Sequence, residues 1–299
     1  MRNTFIETLT ACASVDPRIF LVVGDLGFSV VETFSKKFPE RFLNAGVAEQ
    51  NMTGVAAGLA MAGYKVFTYS IANFPTLRCL EQIRNDVCYH GLDVTIVAVG
   101  GGLGYGPLGY SHHAVQDIAC LRGFPGILMA TPGDPYETEA VTRALVRHRG
   151  PAYLRLGKGG EPQGGPACTI EDQGIRIIER FGDSTLLTCG NLLGFVAPWA
   201  KSCQAGLASV PLWGTDERMK KMIRDFISNY RRVVIVEEHL AGGGFGSFVR
   251  ETLESEPALQ SVVRCCALDV SVCQLTGTQD QLRNAGGINI DSVRDAFAR

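Results

Sequence analysis

RFLNAGVAEQNMTGVAAGLAMAG, residues 41–63, runs from what looks like the end of a strand into a helix of small residues. A strand followed by a helix is the repeating unit of parallel α/β proteins. Glu49 stands among small apolar residues where this helix begins, and a buried carboxylate is costly without a partner. Glu49 is therefore either a solvated first-turn residue facing the helix dipole or a residue held in a dry place for a purpose.

The strand–helix alternation extends over the first half of the chain. Short continuous apolar runs are typical of parallel strands covered on both faces, and they occur at 19–24, 65–70, 94–100, 126–131 and 152–157. Helical patterns lie between them, at about 3–15, 48–62, 74–90, 113–122 and 135–148. This order predicts a parallel sheet with helices on both sides.

A second, smaller alternation follows a segment rich in glycine and proline, GKGGEPQGGPAC (157–168), which indicates a linker. Further strands are predicted at 184–190, 206–213 and 232–238, and helices near 194–205, 216–229, 245–254, 278–284 and 291–298. We therefore predict an α/β protein with a parallel-sheet domain at 1–158, a linker at 159–180 and a smaller α/β domain at 181–299.

Composition excludes several classes of protein. The net charge of the 299 residues is −2, without a basic run, so no nucleic acid or anionic membrane partner is expected. The ten cysteines and five histidines show no CxxC and no metal-ligand spacing, so the thiols are expected to be reduced and no metal site is predicted in this chain. No secretory signal and no membrane helix is evident, and we expect a cytoplasmic protein.

Two glycine- and histidine-containing motifs follow one another. GYGPLG (104–109) fits the dinucleotide pattern GxGxxG, but Pro107 and Tyr110 interrupt the helix that such a site requires, so a close-packed or mobile loop is the better interpretation. In SHHAVQD (111–117), Ser111 can cap a helix. Alternatively, His112 lies at the carboxyl edge of the sheet, where it can donate to a substrate hydroxyl or move a proton.

Two aromatic residues, Tyr69 and Phe74, fall at the end of a strand and in the loop after it. Aromatic residues in such places are most often part of the core, but two that are close together can also hold a flat heteroaromatic ring. The pattern alone leaves both interpretations open.

Taken in order, these segments resemble the pyrimidine-binding and C-terminal domains of the transketolase family of thiamine diphosphate enzymes. The resemblance covers nearly the whole chain: it runs from GDLG (24–27) and residues 41–63 through FPTLRCLEQIRNDV (74–87), SHHAVQDIACLR (111–122) and GPAYLRLGKG (150–159) to VVIVEEHLAGGGFGS (233–247). It implies that 1–158 is the pyrimidine-binding domain.

The resemblance implies a cofactor role for Glu49. The matching family glutamate hydrogen-bonds the N1′ nitrogen of the cofactor's aminopyrimidine ring, and a buried carboxyl group can donate to that nitrogen. This helps the thiazolium carbon of thiamine diphosphate to lose its proton and attack a carbonyl. Asp25 matches an aspartate close to the thiazolium, and Tyr69 and Phe74 fall in the segment that packs on the aminopyrimidine.

Substrate contacts carry over in the same way. His112 matches the histidine of the GPTHQ motif, which contacts substrate oxygens, and Arg2, Ser29 and Lys158 match residues that hold the sugar phosphate; Arg155 is a further candidate.

Three departures from the family pattern change the expectation. The GDG motif with its downstream Asn, which binds the cofactor diphosphate and Mg²⁺, is missing from this sequence. A separate N-terminal transketolase subunit should then supply those ligands, in an α2β2 assembly, and the chain alone should have little activity. Leu108 and Gly100 stand where transketolases have a substrate-reading Asp and a further His, which predicts a different sugar range.

With these departures, the resemblance implies a subunit of a thiamine-diphosphate-dependent transketolase that moves a two-carbon ketol unit from a ketose, or ketose phosphate, to an aldose. A reaction like that of 1-deoxyxylulose-5-phosphate synthase is the alternative, as is the β subunit of a 2-oxo acid dehydrogenase. A homologue that kept the fold but lost the reaction is a third possibility.

Overall fold

A computed structural model of the chain describes residues 1–170 and 174–298. Its described strands form one sheet of eleven. They are β1 (Ile19–Val23), β2 (Phe42–Asn44), β3 (Lys65–Ile71), β4 (Val94–Val99), β5 (Leu128–Ala130), β6 (Ala152–Leu156), β7 (Gly174–Glu179), β8 (Ser184–Cys189), β9 (Gly206–Trp213), β10 (Arg232–Leu240) and β11 (Val263–Leu268).

Helices cover both faces of this sheet. The α-helices are α1 (Arg2–Ala13), α2 (Glu32–Lys37), α3 (Glu49–Met61), α4 (Leu80–Gln82), α5 (Asp117–Leu121), α6 (Pro135–Arg147), α7 (Leu193–Ser202), α8 (Glu217–Ile227), α9 (Phe245–Thr252), α10 (Pro257–Val262), α11 (Gln279–Ala285) and α12 (Ile290–Ala298). Short 3₁₀ helices lie at Pro39–Arg41, Leu77–Cys79, Gly106–Leu108, Tyr110–His112 and Val270–Gln274, and a π-helix at Ile83–Cys88.

The sheet consists of two parallel halves joined by an antiparallel contact. Its strand order is β11-β10-β8-β9-β5-β6-β4-β3-β1-β2, with β7 paired to β9. All pairs are parallel except β5–β9 and β7–β9. The predicted α/β class is confirmed, and every predicted strand is present within a few residues of its expected bounds.

Alternation along the strands sends side chains to opposite faces of the sheet. In β1, Phe20 and Val22 pack in one buried cluster, whereas Ile19, Leu21 and Val23 pack in the other, beneath α1. Both faces are apolar, which explains why these strands are continuous hydrophobic runs in the sequence. No helix within residues 1–170 and 174–298 is long and apolar enough to cross a bilayer.

The predicted linker at 159–180 contains a strand. Residues 174–179 form β7, which pairs with β9 in the second half of the sheet, so the irregular part of the range is shorter than expected. Pairing with the edge of β9, a tertiary contact, fixes this strand. Residues 171–173 of the predicted linker lie outside the described part, and the domain boundaries stay a prediction.

Two predicted helices are less regular than expected. The range 74–90 is a chain of 3₁₀, α and π turns, and in 113–122 only Asp117–Leu121 is α-helical. The second difference has a visible cause, because the backbone of Ala114 pairs with Gly102 and is therefore extended. The sequence patterns also missed α2, α10 and β11.

Candidate active site

The candidate residues gather at the carboxyl ends of the parallel strands. The loops after β1, β3 and β4 and the first turn of α3 meet there. Ligands of open parallel sheets bind at this edge, where strand ends and loops leave polar groups accessible.

Glu49 is the first residue of α3 and its side chain is only 2% exposed. Its Oε2 accepts a hydrogen bond of 2.8 Å from Arg78 Nη1, and the Arg78 side chain is 48% exposed. The carboxylate is thus buried, and its hydrogen-bond partner among the described residues is a cation that reaches the surface. Of the two alternatives for Glu49, the structure excludes the solvated one.

Arg78 connects Glu49 to two other predicted residues. Its guanidinium lies over the ring of Phe74, 4.7 Å from the centroid. The ring of His112 meets Phe74 edge to face at 5.2 Å. The structure therefore connects Glu49 to His112 through Arg78 and Phe74, each of which contacts the next. Phe74 and His112 are half-buried, so each keeps a face that a ligand can reach.

The buried hydroxyl group of Ser70 lies near Glu49. A Cβ at Gly24 would lie 3.5 Å from Ser70 Oγ and 3.6 Å from Glu49 Cγ, so both side chains lie against Gly24. Ser70 Oγ is buried and has no hydrogen-bond partner among the described residues. A buried polar atom without a partner marks a place where a missing group can bind.

Asp25 and Ser29 lie on the loop after β1, in unusual backbone conformations. Their φ angles are +56° and +64°, values that side-chain-bearing residues seldom adopt. Asn44 holds the first of them, since its Nδ2 donates to Asp25 Oδ1 at 2.9 Å and its Oδ1 accepts from the Asp25 backbone N–H. The Ser29 backbone N–H donates to Glu32 Oε1 at 2.7 Å. Backbone strain of this kind is typical of functional loops.

Tyr69 does not join Phe74. It is 3% exposed and its ring stacks on Phe5 at 6.2 Å, on the α1 side of the sheet. Burial raises the pKa of its phenol. The next residue, Ser70, faces the Glu49 side instead, because successive side chains of a strand point to opposite faces. The prediction that Tyr69 lies with Phe74 is therefore wrong: the residue of β3 that faces the Glu49 side is Ser70, one position further along.

Arg2 and Lys158 approach each other around Tyr105. Lys158 Nζ lies over the Tyr105 ring, 5.0 Å from its centroid, and a Cβ at Gly159 would lie 3.7 Å from Arg2 Nε. The charge of Arg2 also acts on the pKa of both Tyr69 and Tyr105. The structure thus gives two of the predicted phosphate-binding cations a common location.

Arg155 corrects the sequence prediction. Its side chain is 2% exposed, and Nε donates to Asp117 Oδ2 at 2.7 Å. Nη2 donates to the carbonyls of Ala114 and Glu238, each at 2.9 Å. The guanidinium therefore ties β6 to α5 and to β10 and is not available to a substrate phosphate.

The glycine-rich loop is close-packed backbone, as one of the two sequence interpretations held. A Cβ at Gly106 would lie 2.5 Å from the carbonyl oxygen of Gly277, and one at Gly102 would overlap the Glu238 carboxylate. Leu108, by contrast, is 57% exposed at the rim of the loop. At Gly100, φ is +83° and a Cβ would overlap the Tyr105 ring.

Three residues of this candidate site, Arg78, Ser70 and Tyr105, were not predicted from the sequence. Arg78 follows Glu49 by 29 residues, so no local pattern joins them. The signal for Ser70 was its place beside Tyr69 on a strand, where one of two neighbours must face the site. Among the described residues, no three His, Cys, Asp or Glu side chains are grouped so that they can hold a metal ion.

The fold and these contacts define an α/β protein that carries, at the carboxyl ends of its parallel strands, a buried helix-start carboxylate paired with an arginine that lies over an aromatic ring. The family model for the transketolase pyrimidine binding domain matches residues 1–162, more than half of the chain. The chain belongs to the transketolase family, and the resemblance noted in the sequence is confirmed.

Individual relatives agree with this assignment. The chain is 34% identical over 269 residues to one of the subunits of the apulose-4-phosphate transketolase of Phocaeicola vulgatus, a match covering 86% of this chain and 84% of that protein. It is 33% identical over 309 residues to a transketolase C-terminal section of Methanocaldococcus jannaschii, covering 98% and 93%. A solved structure described as a split-gene transketolase, an inactive β4 tetramer, superimposes with a TM-score of 0.86 at 28% identity, covering 99% of this chain and 96% of that one.

Proposed function

We propose that this chain is the C-terminal subunit of a split, thiamine-diphosphate-dependent transketolase. The reaction is the transfer of a two-carbon ketol unit from a ketose, or ketose phosphate, to an aldose. The observation that carries the proposal is the buried Glu49 carboxylate, linked through Arg78 to Phe74 and His112, in a chain that belongs to the transketolase family.

The residues around Glu49 fit an aminopyrimidine ring. Such a ring needs a carboxyl group at one ring nitrogen, a flat apolar surface against its face and further hydrogen-bonding groups at its edge. Glu49 is the carboxyl group, the half-buried ring of Phe74 supplies a surface, and the unpartnered Ser70 Oγ is a hydrogen-bonding group. When bound, thiamine diphosphate supplies the carbon nucleophile and stores the electron pair of the reaction.

In this proposal, the residues of the candidate site have separate roles. Glu49 binds and orients the aminopyrimidine through a ring nitrogen, and Arg78 stabilises the carboxylate from the solvent side. His112 is assigned to the substrate: Ser111 Oγ lies 3.0 Å from its Nδ1, and in the tautomer in which the serine hydroxyl donates to Nδ1 the ring proton is on Nε2. That nitrogen can donate to a substrate oxygen. Asp25, fixed by Asn44, lies on the loop beside Gly24 and Glu49.

A separate N-terminal subunit completes the cofactor site in this proposal. The diphosphate and Mg²⁺ ligands then come from a partner that bears the GDG motif and its downstream Asn, in an α2β2 assembly. Relatives that are a single transketolase subunit or a C-terminal section, and the related β4 tetramer described as inactive, support this division. We expect a cytoplasmic location.

The sugar range differs from that of transketolases with the full set of substrate residues. Leu108 is an exposed apolar side chain and Gly100 has no side chain, so neither can read a sugar hydroxyl. A site without those polar groups discriminates less between hydroxylated donors. The donor is then an unusual ketose phosphate or the acceptor a modified sugar.

The test is reconstitution with the product of a neighbouring reading frame that bears the GDG motif. The mixture, with thiamine diphosphate and Mg²⁺, should transfer a ¹³C-labelled two-carbon unit from ketose phosphates to aldoses, while either chain alone should not. Glu49→Ala should abolish transfer, and Glu139→Ala, at a carboxylate 49% exposed on α6, should not change it. Release of CO₂ from pyruvate instead would assign the decarboxylating alternative, and unchanged activity of Glu49→Ala would refute the site.

A further inference from the structure

Tyr105 occupies the space that the missing side chain of Gly100 leaves. Gly100 has a φ of +83°, and a Cβ there would overlap two carbons of the Tyr105 ring. The glycine is therefore required by both its backbone conformation and the ring against it. Tyr105 belongs to the glycine-rich loop and is half-buried, so part of its side chain is open to solvent.

Two cations, Lys158 and Arg2, act on this ring. Lys158 Nζ lies 5.0 Å from the ring centroid, and the charge of Arg2 acts on the pKa of the phenol. The ring of His112 meets it edge to face at 6.3 Å. Tyr105 thus stands between the two predicted phosphate-binding cations and the histidine assigned to the substrate.

Glu161 connects the two segments that carry these cations. Glu161 accepts hydrogen bonds from the backbone nitrogens of Gly159, at 2.7 Å, and Met1, at 3.2 Å. It therefore joins the loop that carries Lys158 to the beginning of α1, which carries Arg2. The two positive groups are positioned by the fold, although their side chains remain partly accessible.

The phenol hydroxyl is a donor without a use inside the chain. Within residues 1–170 and 174–298, Tyr105 Oη makes no hydrogen bond. Burial raises the pKa of the phenol, with the charge of Arg2 opposing this effect, so the hydroxyl keeps its proton at neutral pH. A protonated hydroxyl next to two cations is suited to an anionic oxygen.

We infer that Tyr105 is a specificity-determining residue whose hydroxyl donates to the anionic terminal group of the substrate, together with Arg2 and Lys158. The inference rests on the proposed ketol transfer, and it adds Tyr105 to the residues that the family resemblance assigns to the sugar phosphate. Tyr105 replaces, from the loop, a side chain that Gly100 cannot supply. The ring keeps Lys158 oriented, and the hydroxyl reads the anion.

The test compares a phosphorylated with an unphosphorylated acceptor in the reconstituted complex, D-ribose 5-phosphate against D-ribose. Tyr105→Phe keeps the ring and removes the hydroxyl, so the KM for D-ribose 5-phosphate should rise about tenfold, the loss expected for one charge-assisted hydrogen bond. The kcat, and kcat/KM for D-ribose, should stay unchanged. Lys158→Met should show the same selectivity, and Tyr89→Phe, at a tyrosine 82% exposed, is the matched control.

A binding measurement makes the outcome independent of turnover. Titration of D-ribose 5-phosphate followed by ³¹P NMR should give about a tenfold weaker Kd for Tyr105→Phe than for the parent chain. Equal Kd values, or a loss of kcat/KM that is the same for both acceptors, would overturn the inference. Absence of ketol transfer by the parent complex would refute the proposed function, while a weakened Kd in the variant would still support the anion-binding role.

Discussion

Glu49 and Arg78 form an asymmetric pair, and the asymmetry gives a measurable prediction. The Glu49 side chain is 2% exposed and that of Arg78 is 48% exposed, with 2.8 Å between Oε2 and Nη1. Arg78→Met leaves a buried carboxylate without its partner, whereas Glu49→Gln leaves a guanidinium that can turn to water. We therefore expect Arg78→Met to cost more stability than Glu49→Gln, although both remove the same ion pair.

The magnitudes follow from the burial of the two groups. Breaking a fully buried pair costs about 3–5 kcal/mol and leaving a buried polar group unpaired about 1–3 kcal/mol. Because water reaches the Arg78 side, we expect about 2–3 kcal/mol for Arg78→Met, including about 0.5 kcal/mol for the lost contact with the Phe74 ring. Glu49→Gln should cost less than about 1 kcal/mol. In the double variant the cost should return to within about 1 kcal/mol of that of Glu49→Gln.

Urea unfolding of the four chains measures these free energies, and ketol transfer by the reconstituted complex is measured beside it. Glu49→Gln should abolish transfer even though it perturbs stability least. Arg143→Met, which breaks an exposed pair with Glu139 on α6, is the control and should change stability by less than about 0.5 kcal/mol. A Glu49→Gln chain that is less stable than Arg78→Met would refute the reasoning, because the buried carboxylate would then not depend on Arg78 for its stability.

Three further substitutions test other parts of the structure. Arg155→Met should lower the free energy of unfolding by about 3–5 kcal/mol, measured in urea, because the buried Asp117 carboxylate loses its cation and keeps the hydrogen bond from the Tyr153 hydroxyl. Gly100→Ala should displace the Tyr105 ring and raise the KM for phosphorylated substrates, since its Cβ would overlap that ring. Burial raises the pKa of Glu237 to about 7 from 4.5, so the folded chain holds a proton that the unfolded chain has released. Stability should therefore fall as pH rises from 4.5 to 7, and Glu237→Gln should flatten this slope in urea midpoints.

Each of these has a matched control. Arg149→Met removes an arginine that is 67% exposed and paired to Asp93, and it should hardly change the free energy of unfolding. If Arg155→Met cost no more than Arg149→Met, Arg155 would not hold β6 to α5 and β10. Gly63→Ala places a Cβ at a φ of +95° with nothing within 4 Å, so it separates backbone strain from the clash with the ring. Glu139→Gln should leave the dependence of stability on pH as in the parent chain. If Glu237→Gln also left it unchanged, the Glu237 carboxyl group would be excluded as the source of this dependence.

Most of the fold followed from local patterns. Continuous apolar runs predicted the parallel strands because both faces of the sheet are covered, and Glu49 could be placed at the start of α3 from the change in pattern at 44–52. The irregular turns at 77–88 and the strand β7 could not be predicted in this way. They depend on contacts with distant segments, which a window of neighbouring residues does not contain.

The sequence by itself determined the order of strands and helices, the family resemblance and the types of residue at the strand ends, because these depend on the period of apolar residues and on the spacing of motifs. The tertiary structure decided which side chains face the site. It turned Tyr69 to the α1 side, buried Arg155 against Asp117, joined Arg78 to Glu49 and placed Tyr105 against Gly100. Side-chain direction reverses at every residue of a strand, and partners meet across the sheet edge, so only the folded chain fixes these contacts.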